Sequence, residues 1–392
     1  MNILMLEWDS FAHEYIIEEF LRAGCELELF PIPFGKESMR DNEPFYHKLK
    51  SKLKECAYDF VFSFNFFPIA AKVCNDCNIK YVSWIYDMPF LLLYSKYTIL
   101  DTNYIYFFDK SLYKDFKTHG IKNVFYLPLA APVEDYDRIK ITGVERERYG
   151  AEISFVGSTY TEDRQDFFRH IDGVNEYTAG YLKAIMKMQG ELYGSFILEE
   201  LLTDNIIREL QRVCPIQKGE DEWETDAWIY ANYFLARRLT GEQRRGQLEL
   251  LGKRYSVKLY APEQSQDVPY VVNCGPVDYI KEMPVVFKSS KVNLNMTLRS
   301  IHTGIPLRAM DIMGCGGFLL TNYQEDFLEL FEPGVDYVYY SSQRELMELV
   351  DYYLNHEEER GEIARNGYKK VKTAHTYRNR VELLLSQLKE QR

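Results

Sequence analysis

Val292-Asn-Leu-Asn-Met-Thr-Leu-Arg-Ser-Ile-His-Thr-Gly-Ile-Pro-Leu-Arg-Ala-Met-Asp-Ile-Met-Gly-Cys-Gly-Gly-Phe-Leu-Leu-Thr321 decides how this chain is read. Val292, Leu294 and Met296 alternate with polar residues, as in a strand running into a polar loop. Gly304, Ile305 and Pro306 open a short helix, with Pro306 near its first position, where a missing N–H costs nothing. Gly314, Gly316 and Gly317 close it, and residues 318–320 form an apolar run of strand type. Arg308 sits in the first turn, at the positive end of the helix dipole, which is mildly unfavourable for a cation. An anion there removes the conflict, because a helix N-terminus is already an anion site. Asp311 follows one turn later on the same face. The stretch therefore admits two readings: a holder for a nucleotide diphosphate, or an i,i+3 ion pair on a surface helix.

The rest of the chain sets the context. Its 392 residues suggest two or three domains with a large core. A 46% hydrophobic and 27% charged composition is that of a soluble globular protein. The aromatic content of 15% fits either a Tyr-rich core or a set of ring platforms for sugars or bases. A formal net charge of −12 argues against general binding to nucleic acid or anionic lipid. The start, Met1-Asn-Ile-Leu-Met-Leu-Glu-Trp-Asp9, has no basic region and does not read as a signal peptide. No apolar run reaches the roughly 18 residues that span a bilayer. A cytoplasmic protein is expected. The seven cysteines are odd in number and scattered, which argues against a disulfide framework. Cys74-Asn-Asp-Cys77 has CxxC spacing but falls inside an amphipathic helix pattern, without a second CxxC or a nearby His.

Over residues 1–132 strand and helix patterns alternate. Strands are expected at 2–6, 26–30, 60–64, 81–86, 104–108 and 124–127, which implies a parallel sheet covered on both faces. Ligands of such sheets bind at the carboxyl ends of the strands. That puts Glu7, Trp8, Asp9, Asn65, Asp87 and Asp109 on the functional rim. Residues 133–152 read as a linker. Its Asp135-Tyr-Asp137 has DxD spacing, read as a solvated loop rather than a cation site. The second domain, 153–375, opens with Ile153-Ser-Phe-Val-Gly157, a strand leading to a turn where backbone N–H groups can approach a phosphate. Residues 161–252 read as a helical insert, with helical spacing at 166–171, 181–188, 196–213 and 226–239. Glu220-Asp-Glu-Trp-Glu224 within it reads as a solvated acidic loop. Ser342 and Glu345 form a capping box, and residues 376–392 are a final helix. The expected class is α/β, two Rossmann-like domains with a helical insertion in the second.

These residues resemble a known family. Two Rossmann-like domains facing across a cleft are the GT-B glycosyltransferase architecture. Pro306-Leu-Arg-Ala-Met-Asp-Ile-Met-Gly-Cys-Gly-Gly-Phe-Leu-Leu-Thr321 is similar to the donor motif of group 1 glycosyltransferases, and more narrowly of the CgeB-type spore-maturation branch. Trp84-Ile-Tyr-Asp-Met-Pro89, Tyr126-Leu-Pro-Leu-Ala130, Ile153-Ser-Phe-Val-Gly-Ser158 and Lys291-Val-Asn-Leu-Asn295 resemble that branch too. So does Arg365-Asn-Gly-Tyr-Lys-Lys-Val-Lys-Thr-Ala-His-Thr-Tyr377. The resemblance implies transfer of a sugar from a UDP-, GDP- or dTDP-sugar to an unidentified glycan, protein or small-molecule acceptor, with no metal or other cofactor required. It assigns the diphosphate to Arg308 and the backbone of Thr303, Gly304 and Ile305, with Gly157 and Ser158 approaching it from the second domain's first loop. It assigns the nucleobase to the loop of Gly275, Pro276 and Val277. Asp311 stands where the family has a ribose-binding glutamate, one methylene longer. Thr303 stands where the family usually carries a second glutamate. Asn295 and His302 border the same site. Asp87 is the candidate catalytic base, with Glu7, Asp9 and His13 as alternatives on the rim.

Two other classes compete. A non-catalytic, GT-B-shaped nucleotide-sugar-binding or scaffold protein would bind donor without turnover. A nucleotide-sugar epimerase would turn over donor without an acceptor. The absence of GxGxxG after the first strand argues against a Rossmann dehydrogenase.

Overall fold

The computed structural model describes residues 1–8, 10, 12–33, 39–219 and 221–390. Of the expected residues, Asp9 and Glu220 lie outside these. The chain divides into two compact units: unit 1 is 1–130, 218–224 and 375–392, and unit 2 is 131–217 and 225–374.

Unit 1 holds six parallel strands in the order β2-β1-β3-β4-β5-β6. They are β1 (Asn2–Glu7), β2 (Glu26–Pro31), β3 (Phe60–Phe64), β4 (Lys80–Ile85), β5 (Asn103–Phe107) and β6 (Val124–Tyr126). The sequence predicts each of them to within a residue or two. Strands β3, β4 and β5 are buried almost throughout, as expected of a parallel sheet covered on both faces. The order reverses between β1 and β3, so the carboxyl ends of those strands flank a crevice.

The cover of this sheet includes a helix from the far end of the sequence, Tyr377–Glu390. Arg380 donates to the carbonyls of Pro128 and Leu129. The Tyr377 ring lies 5.4 Å from that of Tyr15 and 6.2 Å from that of Trp84. The segment 218–224 also belongs here. Trp223 packs on Tyr94 and Phe116 at 4.8 and 5.6 Å. Arg40 pairs with Asp221 at 3.3 Å and Glu222 at 2.8 Å. The acidic loop expected to be solvated is thus docked: Arg40 neutralises its charge, and Trp223, still 38% exposed, rests its ring on Tyr94 and Phe116. Glu224 is only 4% exposed, and burial, with Glu222 beside it, pushes its carboxyl up to about 7.

Unit 2 holds β7 (Ile153–Val156), β8 (Val257–Tyr260), β9 (Val272–Asn273), β10 (Val292–Asn295), β11 (Leu319–Asn322) and β12 (Val338–Tyr340). All pairings are parallel, in the order β12-β11-β10-β7-β8-β9. Counted within the unit this is the 3-2-1-4-5-6 dinucleotide-fold order, and its switch point lies between β7 and β10. Helices Glu176–Glu191, Asp204–Val213, Asp226–Ile229 and Ala236–Gly252, the last two joined through a π-helical turn at Tyr230–Leu235, lie between β7 and β8. The 196–203 half of the helix expected at 196–213 is turn, and the 166–171 helix shrinks to a 3-10 turn at Phe168–Ile171.

The expected linker, 133–152, is instead part of unit 2. It forms helices Val133–Arg138 and Gly143–Tyr149, the second started by a capping box between Thr142 and Glu145. Asp135 and Asp137 sit on the first of these helices, paired with Arg138 and Lys372 at 2.8 and 2.7 Å. Gly317 is required where it stands: a Cβ there would lie 2.7 Å from the Asn293 amide and 3.0 Å from the Phe287 carbonyl.

Candidate functional site

The helix of the opening stretch spans Leu307–Gly314, with Pro306 as its N-cap rather than inside it. Pro306 supplies no side-chain cap; the Ala309 N–H turns back to the Pro306 carbonyl at 3.0 Å, and among the described residues no protein acceptor meets the N–H groups of Leu307 and Arg308. Arg308 stands at that end with 27% of its side chain exposed. Its guanidinium lies 5.8 Å from the rings of both Tyr279 and Phe287, touches Met283, and reaches Asp311 Oδ2 at 3.3 Å.

Asp311 is fully buried. Its Oδ1 accepts hydroxyl bonds from Tyr136 at 2.8 Å and Tyr279 at 3.0 Å. Burial pushes its carboxyl up to about 6, although Arg308 and the two phenols pull it down. The surface ion-pair reading does not describe this arrangement. It is not a surface ion pair, since one partner has no exposure. Nor does the carboxylate face solvent where a ribose would meet it: Asp311 acts on Arg308 and Tyr279. Tyr279, two residues beyond the Gly275–Pro276–Val277 loop, sets its ring beside Arg308 at 5.8 Å. In that loop Pro276 is exposed, Val277 packs on the core beneath, and Gly275 adopts φ 74°, a left-handed conformation that favours glycine.

The loop after β7 behaves differently from expectation. The N–H of Gly157 is taken by the Tyr260 carbonyl at 2.9 Å. Those of Thr159 and Tyr160 go to Glu162 Oε1 and Ser158 Oγ. Ser158 Oγ itself donates to Glu162 Oε2 at 2.6 Å. These N–H groups are therefore engaged within the protein, not turned to a phosphate. Burial alone would raise the Glu162 carboxyl, but hydrogen bonds from Ser158 and Ser265 hold it below its ordinary value.

Arg244, which the sequence reading missed, ties the two strand ends at the switch point together. From the Ala236–Gly252 helix its buried guanidinium donates to the Ser158 carbonyl at 2.7 Å and to the Met296 carbonyl at 3.0 Å. It lies over the rings of Phe155 and Tyr160 at 5.2 and 4.8 Å, and burial lowers its pKa. No local pattern marks it, because its partners are distant in sequence.

The loop after β10 is pinned from several sides. Asn295 is buried and donates to Thr297 and Thr321, so its amide serves the strand ends. Gln324 holds the carbonyls of Ile301 and Gly304, and the Asp326 N–H holds that of Thr303. Ile305 is core. The His302 ring stacks on Phe196 at 4.4 Å. Arg299 donates to the carbonyls of Gly190 and Leu192 and to Gln243.

In unit 1 Asp87 is exposed at the end of β4. Asn65, at φ 59° after β3, donates to Asp87 Oδ2 at 2.7 Å and accepts the N–H groups of Tyr86 and Asp87. Trp8 donates to the Phe64 carbonyl at 3.2 Å. Asp109 caps the helix Lys110–Thr118 instead of facing a ligand. Glu7 is exposed, and His13 is buried with its ring 5.9 Å from that of Phe64. Cys74 and Cys77 are free thiols on and just after one helix. Among the described residues no group of three or more His, Cys, Asp or Glu is placed to hold a metal ion. No helix among them is long and apolar enough to cross a membrane.

Residues 233–386 match the family model described as glycosyl transferase-like. No curated protein matches the chain by sequence. Among solved structures the chain is similar to Anabaena Alr3699/HepE in complex with UDP-glucose, with TM-score 0.56, 12% identity and 100% of both chains covered. It is similar to sucrose-phosphate synthase from Thermosynechococcus elongatus, with TM-score 0.56, 11% identity and coverage of 100% of this chain and 98% of that one. A third likeness is a glycosyltransferase from Rickettsia africae ESF-5, with TM-score 0.55, 10% identity and coverage of 99% and 98%. The chain thus has the two-domain α/β GT-B fold of these proteins, and its second half carries a glycosyl transferase-like sequence.

Proposed function

We propose that this chain is a glycosyltransferase that takes a sugar from a nucleotide diphosphate sugar, and that its donor site is the β7/β10 switch point of unit 2. The observation that carries this reading is the uncapped start of the Leu307–Gly314 helix with Arg308 beside it, in a sheet of dinucleotide-fold order. Departure of the nucleotide leaves negative charge on its diphosphate. Helix amides and Arg308 meet that charge where it develops, a preorganised electrostatic contribution that requires no metal. In this reading Asp311 and Tyr279 orient Arg308, and the Gly275–Val277 loop borders the base. Thr303, Gly304 and His302 line the loop side. Asp87, held by Asn65, is the proposed base for the acceptor hydroxyl. The similarity to a UDP-glucose complex makes a UDP-sugar the favoured donor among UDP-, GDP- and dTDP-sugars. The quoted strings also support the CgeB-type branch as the subgroup.

A panel of UDP-, GDP- and dTDP-sugars tests the proposal, with binding followed by calorimetry and nucleotide release by a coupled assay. Binding with acceptor-dependent release is the expected result. Binding with no release under any acceptor would favour the scaffold reading. Isomerised donor without an acceptor would favour an epimerase. No binding at all would sink the proposal.

A further inference from the structure

Unit 2 contains a cavity of about 700 Å³ between the Glu176–Glu191 helix, the Ala236–Gly252 helix and the start of the Gln343–Asn355 helix that follows β12. None of its lining residues belongs to the set around Arg308 or Gly157. The volume falls within the range of small-molecule sites. Phe168, Ile171, Leu182 and Met186 give it an apolar wall. The formal charges on its lining balance, with Lys183, Lys187 and Arg238 against Asp172, Glu191 and Glu242. That balance disfavours both a phosphate and a cation.

A buried amide narrows the chemistry further. Gln247 lines the cavity and is only 6% exposed. Its Oε1 accepts the Tyr340 hydroxyl at 2.9 Å, and among the described residues no protein group accepts from its Nε2. A purely apolar occupant would leave that donor unmet, which weakens its binding. A ligand with hydroxyls and an apolar face satisfies the amide, the mixed charges and the wall together. We propose that this cavity binds a neutral hydroxylated ligand of mono- or disaccharide size. Its wall is tied to the loop after β10, because Arg299 bonds the Gly190 carbonyl and Gln243 on the cavity's own lining.

The inference stands apart from the donor reading, and its test keeps the two separate. The full chain is examined by saturation-transfer NMR with glucose, maltose, sucrose and trehalose, and by calorimetry with UDP. A Cβ at Gly246 meets nothing within 4 Å, so Gly246→Trp fills the cavity without a backbone clash. Gln247→Glu keeps an acceptor for Tyr340 but removes the amide donor. Expected are a saccharide signal in the parent chain, its loss in Gly246→Trp, about tenfold weaker binding in Gln247→Glu, and unchanged UDP isotherms. No saccharide signal in the parent chain, or an undiminished one in Gly246→Trp, overturns the inference. Absence of UDP binding would count against a UDP-sugar donor alone and leave the cavity inference standing.

Discussion

Tyr136 donates its hydroxyl to Asp311 Oδ1 at 2.8 Å across 175 residues of sequence, and so seals a carboxylate into the core of unit 2. Burial raises the Asp311 carboxyl from 3.8 to about 6. The folded protein therefore holds this proton better than the unfolded chain does. The resulting stabilisation is full below about pH 3.8 and is lost as pH rises through about 6. The span corresponds to about 3 kcal/mol. Asp311→Asn, neutral throughout, is expected to lack this term. The stability difference between parent and variant should shift against the parent from pH 4 to pH 7 in urea melts. A difference that stays flat over that range would contradict the assignment.

Arg308 is proposed to meet the diphosphate as a fork, a geometry lysine does not reproduce. Arg308→Lys should weaken UDP binding about tenfold, and Arg308→Met more. Calorimetry with UDP measures this directly. Equal affinity in parent and Arg308→Met would remove the residue from the site.

Arg244 holds two carbonyls from two different loops. Arg244→Met leaves the Ser158 and Met296 carbonyls without their donor, at an expected cost of about 3 kcal/mol or more. A lower urea midpoint with an unchanged slope is the expected signature. An unshifted midpoint would show that the clamp contributes nothing.

Asp87 retains its bond from Asn65 when changed to Asn, so Asp87→Asn isolates the loss of basicity. Turnover is expected to fall about 100-fold or more, with UDP affinity and thermal midpoint unchanged. Turnover equal to the parent would eliminate Asp87 as the base.

Most strands were readable because they are short β-rich runs, and their alternation with helices implied parallel sheets; the two-residue β9, Val272–Asn273, was too short to show a pattern. The Leu307–Gly314 helix and its glycine stop were readable for the same local reasons. Helices Val133–Arg138 and Gly143–Tyr149 were missed among dense charges, although Thr142 and Glu145 gave a legible cap. The site was legible only in part. Arg308 stood out because its charge conflicts with the helix end. What Asp311 does was not legible, since its surroundings depend on Tyr136 and Tyr279, neither of which is its neighbour in sequence. Arg244 and the docking of Trp223 were hidden for the same reason: their partners are assembled by the fold, not by spacing.

The Tyr377–Glu390 helix has a consequence for the birth of the protein. Arg380 grips a carbonyl that was synthesised 252 residues earlier. On the ribosome the first sheet emerges long before the helix that covers Trp84 and Tyr15. The nascent chain must therefore carry that apolar face uncovered while all of unit 2 is translated, a window in which a holding chaperone has something to hold. A nick that frees the tail would accordingly be felt first by the oldest part of the molecule.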